Sequence, residues 1–241
     1  MGVIYLKKKE KIFVNIISNI VIFALVISVF FISFGEKITS AFIEPSENAI
    51  YRGNPDKKNV SLMINVYWGT EFLDGMLAVL KDNNVKATFF IGGSWANKES
   101  QMLKKIYDDG HELGNHGYFH KDHTKLSYAK NNEEIMVCEK VVETICGYKT
   151  KLFAPPSGAY NNTVLKAASD SGYKTIMWSK DTIDWRDKND NLIYTRATKN
   201  PKNGELILMH PTKCTLNVLD RIVKYYKQNE FSVVTVSENL K

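Results

Sequence analysis

Short β-rich segments alternate with helix-length amphipathic segments over most of this chain, and this alternation restricts the folds open to it. Strands are predicted to begin at Ser61, Lys86, Lys151, Lys174, Leu206 and Phe231, with a shorter one at His111. Helices are predicted between them, at about residues 72–83, 98–109, 128–145, 163–171 and 216–228, with Gly110 and Gly172 as C-terminal stops.

The alternation predicts an α/β fold with a mostly parallel sheet and right-handed crossovers. About seven strands are enough to curl into an incomplete or distorted (β/α) barrel. In such a barrel the chemistry lies at the C-terminal ends of the strands, so functional residues are expected there.

An uncharged apolar segment occupies residues 13–34, and its 22 residues are enough for a helix to cross a bilayer. Four lysines and one acidic residue within positions 7–11 give the preceding tail a charge of about +3. The positive-inside rule then assigns residues 1–12 to the cytoplasm. We therefore predict a transmembrane signal-anchor at 13–34 in the lipid bilayer of the cell membrane, a single pass, with the rest of the chain extracytoplasmic.

A cleavable signal peptide is the alternative interpretation of the same segment. Thr39 and Ser40 precede Ala41 and offer small residues at which a peptidase could cut, which would make the protein secreted. The apolar run is longer than the 7–15 residues typical of a signal h-region, which favours the anchor.

Residues 35–59 mix charged residues with prolines and glycine without a sustained period, which predicts a linker before a domain at 60–241. The chain has a net charge of +6, of which the N-terminal tail accounts for about half. The remainder has no dense stripe of lysine and arginine, so nucleic acid is not expected as a partner.

Three cysteines do not make a disulfide framework. Cys138 and Cys146 fall on one predicted helix, where eight residues correspond to about 12 Å of rise, too far for a bridge. We interpret both as small buried hydrophobic residues.

A pair of histidines is the first indication of chemistry. His116 and His120 are spaced i, i+4, and neutral imidazoles at that spacing can bind one divalent cation. The spacing alone is weak evidence, since a single histidine is more often a structural residue than a ligand. His111 is interpreted as a structural hydrogen-bonding residue, and His123, in a polar loop, is expected to be exposed.

Five segments together resemble the successive signatures of NodB-type polysaccharide deacetylases, a family of carbohydrate esterases. They are NVKATFFIGGSW (Asn84–Trp95), DGHELGNHGYFH (Asp109–His120), LFAPPSGAY (Leu152–Tyr160), DTIDW (Asp181–Trp185) and LILMHP (Leu206–Pro211). The resemblance extends over nearly everything from Val60 to the C-terminus. It implies removal of N- or O-acetyl groups from sugars of a polymer such as peptidoglycan, chitin or xylan, with a divalent metal held by one Asp and two His.

The resemblance also implies roles for individual residues. In metal-assisted hydrolysis the metal polarises the acetyl carbonyl and activates water, a carboxylate accepts the proton of that water, and an acid protonates the leaving amine. The resemblance implies that His116 and His120 are metal ligands, with zinc the expected metal. It implies that His210 is the general acid and that Asp184 tunes it. For the substrate, it implies that Leu208 is a wall of the acetyl pocket, that Trp185 and Pro155 line the sugar groove, and that the backbone N–H of Ser157 is an oxyanion-hole donor.

The first motif of the family is altered in this sequence. Its general base and its acidic metal ligand fall on Asn65 and Val66, and neither an amide nor an isopropyl group can perform those roles. The arginine that holds the base is replaced by Ala154, and its loss together with the base avoids an unpaired buried charge. Glu71, after the first strand, is a candidate replacement base or ligand, and an acid favoured by the helix dipole is the alternative interpretation.

The resulting hypothesis is a metal-dependent hydrolase that removes acetyl groups from N-acetylated sugars of an extracellular or cell-wall polysaccharide, with weakened activity. Its segment INVYWG resembles a sub-branch of the family found in spore-forming bacteria, which suggests a link to sporulation. A catalytically inactive glycan-binding or scaffold protein of the cell envelope is the main alternative. A structural protein without metal or glycan is a third, but it gives no reason to keep His116, His120 and His210.

Overall fold

A computed structural model describes residues 48–241 of the chain together with Asn19, Ile22 and Phe23. The predicted tail and linker up to residue 47, and the predicted membrane segment apart from those three positions, lie outside the described residues. Within the described part, no helix is both long enough and apolar enough to cross a bilayer.

The described residues form one parallel sheet. Its strands are β1 (Asn59–Val66), β2 (Thr88–Ile91), β3 (Glu112–Asn115), β4 (Leu152–Phe153), β5 (Lys174–Thr175), β6 (Lys180–Asp181), β7 (Glu205–Met209) and β8 (Ser232–Val233). Seven of them follow the order β5-β4-β3-β2-β1-β7-β6, and β8 pairs with the start of β1. This half-barrel of parallel strands with helices confirms the predicted distorted (β/α) barrel.

Helices connect the strands. They are α1 (Thr70–Asp82), α2 (Gly93–Lys98), α3 (Ser100–Asp108), α4 (Tyr128–Cys146), α5 (Asn162–Asp170), α6 (Asp190–Thr198), α7 (Lys213–Gln228) and α8 (Val236–Asn239), with short 3₁₀ turns at His123–Lys125 and Pro156–Gly158. Gly110 and Gly172 follow α3 and α5 with φ of +79° and +78°, a left-handed conformation that suits glycine at a helix end. Both predicted stops are therefore confirmed.

Some elements differ from the sequence prediction. The helix predicted at 98–109 is α3, which begins at Ser100, because Glu99 leaves the helical region with φ −113° and ψ 41°. The separate short helix α2, which ends at Lys98, was not predicted. Strand β6 has two residues, too few for a periodic pattern, and was not predicted. Helix α6 was also missed: its start depends on Asn189, whose side chain accepts a hydrogen bond from the N–H of Leu192.

Alternate residues of β1 face two different apolar clusters. Leu62, Ile64 and Val66 belong to the large cluster formed with the surrounding helices. Met63 belongs to a smaller cluster on the opposite face of the sheet, with Phe90 among its members. Because side chains along a strand alternate, Asn65 lies on the same face as Met63.

Residues 50–54, within the stretch predicted as a linker, are paired to the domain by backbone hydrogen bonds. The N–H of Ile50 donates to Thr175 O at 2.9 Å, and the N–H of Gly53 donates to Gly204 O at 2.6 Å. Arg52 lies 3.8 Å from the buried carboxylate of Glu205. The folded structure therefore includes residues before Val60, where the domain was predicted to begin.

The three cysteines are free thiols. Cys138 is fully buried on α4, and burial raises the pKa of its thiol to about 12. Cys146, on the same helix, is half-buried. The interpretation as a buried hydrophobic residue is confirmed for Cys138 and holds in part for Cys146.

Candidate active site

A cleft of about 370 Å³ opens at the C-terminal ends of the strands. The residues that line it are Asn65, Tyr67, Trp68, His116, His120, Ser157, Gly158, Trp178, Asp181, Trp185, Leu208 and His210. These residues come from the ends of several strands and from the loops that follow them. The predicted location of the functional residues is thus the location of this cleft.

The register of the central strands brings the first and last parts of the cleft together. Met63 pairs with Leu208 and Ile64 with Met209, in parallel. The next positions along these strands are Asn65 and His210, which therefore reach the cleft at the same level. Residues almost 150 positions apart in sequence thereby become neighbours.

His116 and His120 lie together on one wall of the cleft, with ring centroids 5.0 Å apart. His116 follows β3, and its Nδ1 donates a hydrogen bond to the carbonyl of Ala154 at 2.7 Å, which leaves Nε2 with a free lone pair. Burial, reinforced by His120, lowers the pKa of His116 to about 3, and burial also lowers the pKa of His120. Both imidazoles are neutral at physiological pH, as metal ligands must be.

The donor set near this pair suits a two-histidine site. A ligating histidine usually donates its second ring N–H to a carbonyl or carboxylate, as His116 does. Catalytic zinc sites usually have three protein ligands, however, and no group of three or more His, Cys, Asp or Glu side chains with that capacity occurs among the described residues. The residues fit two positions of such a site and lack the third.

On the opposite wall, Asp184 holds His210 in a fixed orientation. Nδ1 of His210 donates to Oδ1 of Asp184 at 2.8 Å, and the backbone N–H of His210 donates to Oδ2 at 2.6 Å. The hydroxyl of Thr215 on α7 also donates to Oδ2. The ring of Trp68 stacks on the imidazole, with centroids 5.9 Å apart and planes inclined by 6°. Nε2 of His210 is left to exchange a proton with a ligand.

Asn65 lies between these two walls and is only 5% exposed. Its Oδ1 is shielded from solvent and has no hydrogen-bond partner among the residues described. Val66 is fully buried in the helix-facing cluster, on the other side of β1. Of the two altered positions of the first motif, Asn65 is thus the one that lines the cleft.

Glu134 fixes the loop that carries His120. This carboxylate, 5% exposed on α4, accepts hydrogen bonds from the backbone N–H groups of Tyr118 and Phe119 at 3.0 and 2.7 Å. Its second oxygen pairs with Lys121 at 2.9 Å. Glu134 was not predicted from the sequence, because its spacing on α4 does not distinguish it from the exposed acids beside it.

The turn after β4 supplies Ser157. This residue has φ +55°, an uncommon conformation for a residue other than glycine, and it lines the cleft. The turn's backbone hydrogen bonds are donated by the N–H groups of Gly158 and Ala159, each at 3.0 Å. Pro155 is buried and shapes the turn, and it is not among the residues that line the cleft.

Glu71 is exposed in the first turn of α1 and is not among the residues that line the cleft. Its position is that of an acid near the positive end of a helix dipole, the alternative weighed for it. Asp181, at the end of β6, does line the cleft, and its Oδ1 accepts from the N–H of Ile183 at 2.8 Å. The sequence contained Asp181 within DTIDW but gave no independent reason to select it.

The prediction for His123 was wrong. Its side chain is fully buried and packs against Phe153, with ring centroids 5.2 Å apart. The polar loop packs against α4, because the side-chain amide of Asn131 donates hydrogen bonds to the carbonyls of His123, Leu126 and Ser127. His111 is buried, and its Nδ1 accepts a hydrogen bond from the N–H of Ala87 at 3.2 Å, as its structural interpretation predicted.

The family described as Polysaccharide deacetylase matches residues 52–176. The uncharacterized protein YlxY of Bacillus subtilis is 42% identical over 78% of this chain, which spans 59% of that protein's length. A peptidoglycan-N-acetylglucosamine deacetylase of Bacillus cereus is 31% identical over 77% of this chain and 70% of its own.

Solved structures include one whose description bears on activity. A CE4 family pseudoenzyme from Bacillus anthracis superposes with a TM-score of 0.79 at 38% identity, over 81% of this chain and 70% of that one. A mutant of the same pseudoenzyme, described as having restored enzymatic activity, superposes equally well, at 36% identity over 81% of this chain and 72% of that one.

Proposed function

This chain belongs to the polysaccharide deacetylase family, and we propose that its cleft binds an N-acetylated sugar of a cell-wall polysaccharide such as peptidoglycan and hydrolyses the acetamide only weakly. The observation that carries the proposal is the amide of Asn65, which lies in the cleft where a carboxylate would act as general base. Relatives described as peptidoglycan deacetylases support the choice of polymer.

The composition of the cleft supports a sugar ligand. Three of the four tryptophans of the chain line it, and two of them are substantially exposed, Trp68 by 44% and Trp185 by 55%. Exposed aromatic rings at a cleft mark binding surfaces, since a soluble protein has no packing reason to leave them in water. The apolar faces of sugar rings suit such platforms.

The cleft keeps the groups that would protonate the leaving amine and hold a metal, but among the described residues it lacks the base that would activate water. His210, whose ring hydrogen-bonds to Asp184, would protonate the departing amine. His116 and His120 would hold a divalent metal, zinc being the expected one, which when bound would polarise the acetyl carbonyl. Asn65 cannot accept a proton from water, and the absence of a positioned base lowers a rate by about 10² to 10⁴.

Glycan binding without turnover is the second candidate function. It is favoured by the lack of a third His, Cys, Asp or Glu ligand among the described residues and by the resemblance to a protein described as a pseudoenzyme. The same cleft serves both candidates, so they differ only in whether acetate is released.

Metal analysis of the purified protein, followed by binding and acetate-release assays with N-acetylated oligosaccharides, tests the proposal. We expect binding accompanied by acetate release well below that of an active family member measured in parallel. Binding without any acetate supports the second candidate. Failure to bind any acetylated glycan contradicts both.

We also propose that the domain lies outside the cytoplasmic membrane, because the lysine-rich tail and the apolar run of residues 13–34 predict that orientation. Protease added to wall-stripped intact cells is expected to digest the domain. Protection of the domain, while an exterior control protein is cut, would show that the orientation is wrong.

A further inference from the structure

We propose that Asn65 acts as a hydrogen-bond acceptor for the N–H of an acetamido group, so that the cleft selects N-acetylated sugars over O-acetylated and N-deacetylated ones. The inference rests on the proposed function, since it assumes that the cleft binds a glycan. It assigns to the altered residue of the first motif a positive role in recognition. The replacement of a base by an amide then changes which ligand the site recognises as well as which reaction it catalyses.

The unpaired oxygen of Asn65 is the first observation. Asn65 lines the cleft and is 5% exposed. Its Oδ1 has no hydrogen-bond partner within the described residues. Buried polar atoms in native proteins are nearly always hydrogen-bonded. The terminal amide torsion is broad, so Oδ1 can turn toward a donor that enters the cleft. A ligand N–H would supply the missing partner.

The neighbouring groups complete a match to an acetamide. Ser157 lines the cleft, and its backbone N–H is not among the donors of the hydrogen bonds that close its turn. Leu208, which is 3% exposed, presents an apolar surface at the same end of β7. An acetamido group has one N–H donor, one carbonyl acceptor and one methyl group, and the cleft offers an acceptor, a donor and an apolar wall.

Charge sharpens the selectivity. A carboxylate at position 65 would attract the ammonium group of a deacetylated amino sugar much more strongly than the neutral amide does. The deacetylated sugar also lacks the carbonyl and the methyl group that the N–H of Ser157 and the side chain of Leu208 would contact. An O-acetyl ester has the carbonyl and the methyl group but no N–H, so it would leave Oδ1 of Asn65 unpaired. Sites that hydrogen-bond a ligand group discriminate strongly against analogues that lack it, because the buried partner is then left unsatisfied.

Binding of three oligosaccharides to the full-length protein in detergent tests the inference. The ligands are tetra-N-acetylchitotetraose, its fully deacetylated form and O-acetylated cellotetraose, followed by calorimetry and by the fluorescence of the cleft tryptophans. We expect the N-acetylated ligand to bind roughly ten-fold more tightly than the ester, in line with one hydrogen bond. The deacetylated ligand is expected to bind more weakly still.

The variant Asn65→Leu has a similar volume and no acceptor. It is expected to lose roughly ten-fold in affinity for the N-acetylated ligand and to keep its affinity for the ester. Asn229→Leu changes an exposed asparagine at the end of α7 and serves as control. Asn65→Ala repeats the test if Asn65→Leu does not fold.

The outcomes distinguish failure of the proposed function from failure of the inference about Asn65. If the wild-type protein binds none of the three ligands, the proposed function fails and the inference fails with it. If the wild-type protein binds the N-acetylated ligand and the ester equally, or if neither substitution at Asn65 changes the preference, only the inference is overturned.

Discussion

Asn65 and Val66 are adjacent in sequence but serve different parts of the structure. Asn65 faces the cleft, whereas Val66 is fully buried among apolar side chains on the opposite face of β1. From the sequence, Asn65→Asp, Val66→Asp and Ala154→Arg together would restore a base, a third ligand and an orienting charge. Val66 and Ala154 are both fully buried, so a charged side chain at either position would have to be enclosed in the core.

We therefore predict that Asn65→Asp alone raises acetate release by roughly 10², the contribution of a regained general base. Val66→Asp is expected to destabilise the fold by about 3–5 kcal/mol, because it buries a carboxylate without a partner. Acetate release measures the first effect, and urea unfolding measures the second.

A bound metal that offsets the new charge would reduce the cost of Val66→Asp, so the unfolding experiment is repeated with zinc present. If Asn65→Asp folds like the wild type but releases no additional acetate, general-base loss is not what limits this site.

The two-histidine site predicts which residues determine metal affinity. His116→Ala and His120→Ala are each expected to reduce zinc binding by at least ten-fold, since these two histidines are the candidate ligands that the described part of the chain brings together. His111→Gln is the matched control, because His111 is a buried histidine at the opposite end of β3. Equal zinc content in all three variants, measured by calorimetry or elemental analysis, would show that the pair is not a metal site. His123 is unsuitable as a control because it is fully buried beneath the same loop.

At the scale of secondary structure, α4 positions the loop between β3 and the first turn of that helix. Glu134 accepts two backbone hydrogen bonds from the loop and pairs with Lys121, so its charge is almost wholly enclosed. The helix thereby helps to fix the loop of His120, whose φ of +55° is an uncommon conformation for a residue other than glycine.

Glu134→Gln tests this role and keeps the shape of the side chain. We expect a loss of about 1–3 kcal/mol in the free energy of unfolding, because hydrogen bonds to a charged acceptor are weakened and the ion pair is lost. Glu133→Gln removes the adjacent acid, whose pair with Lys130 is exposed, and should cost less than about 0.5 kcal/mol. Chemical denaturation of both variants makes the comparison. Equal losses would show that α4 does not hold the loop through Glu134.

At the scale of the whole molecule, the segment before β1 closes the sheet at two places. Ile50 pairs with β5, and Met177 donates back to Ile50 O at 2.7 Å. Gly53 and Asn54 pair with the loop before β7 and with the end of α8. The folded unit therefore depends on residues that precede its first long strand.

A fragment of residues 60–241 is predicted to be less stable than one of residues 48–241. The missing segment removes at least four backbone hydrogen bonds, or about 2–4 kcal/mol, and leaves Glu205 with fewer partners. For a domain of this size the midpoint of thermal unfolding should fall by on the order of 10 °C. Identical midpoints in calorimetry would show that the segment only rests on the surface.

The sequence by itself determined the α/β alternation, most strands and helices, and the family resemblance, because hydrophobic period, glycine stops and short motifs are local properties. It also identified His116, His120, Asp184, Trp185, Ser157, Leu208 and His210 through their motifs, and the cleft contains all of these except Asp184, which lies behind His210.

Only the tertiary structure decided which neighbouring residues share the cleft and which are enclosed. It separated Asn65 from Val66, left Glu71 on the surface, enclosed His123 and Glu134, and added Trp68 and Asp181 to the cleft. Burial and contact depend on how distant segments pack: parallel pairing of β1 and β7 brings Asn65 level with His210, and no local pattern contains that pairing.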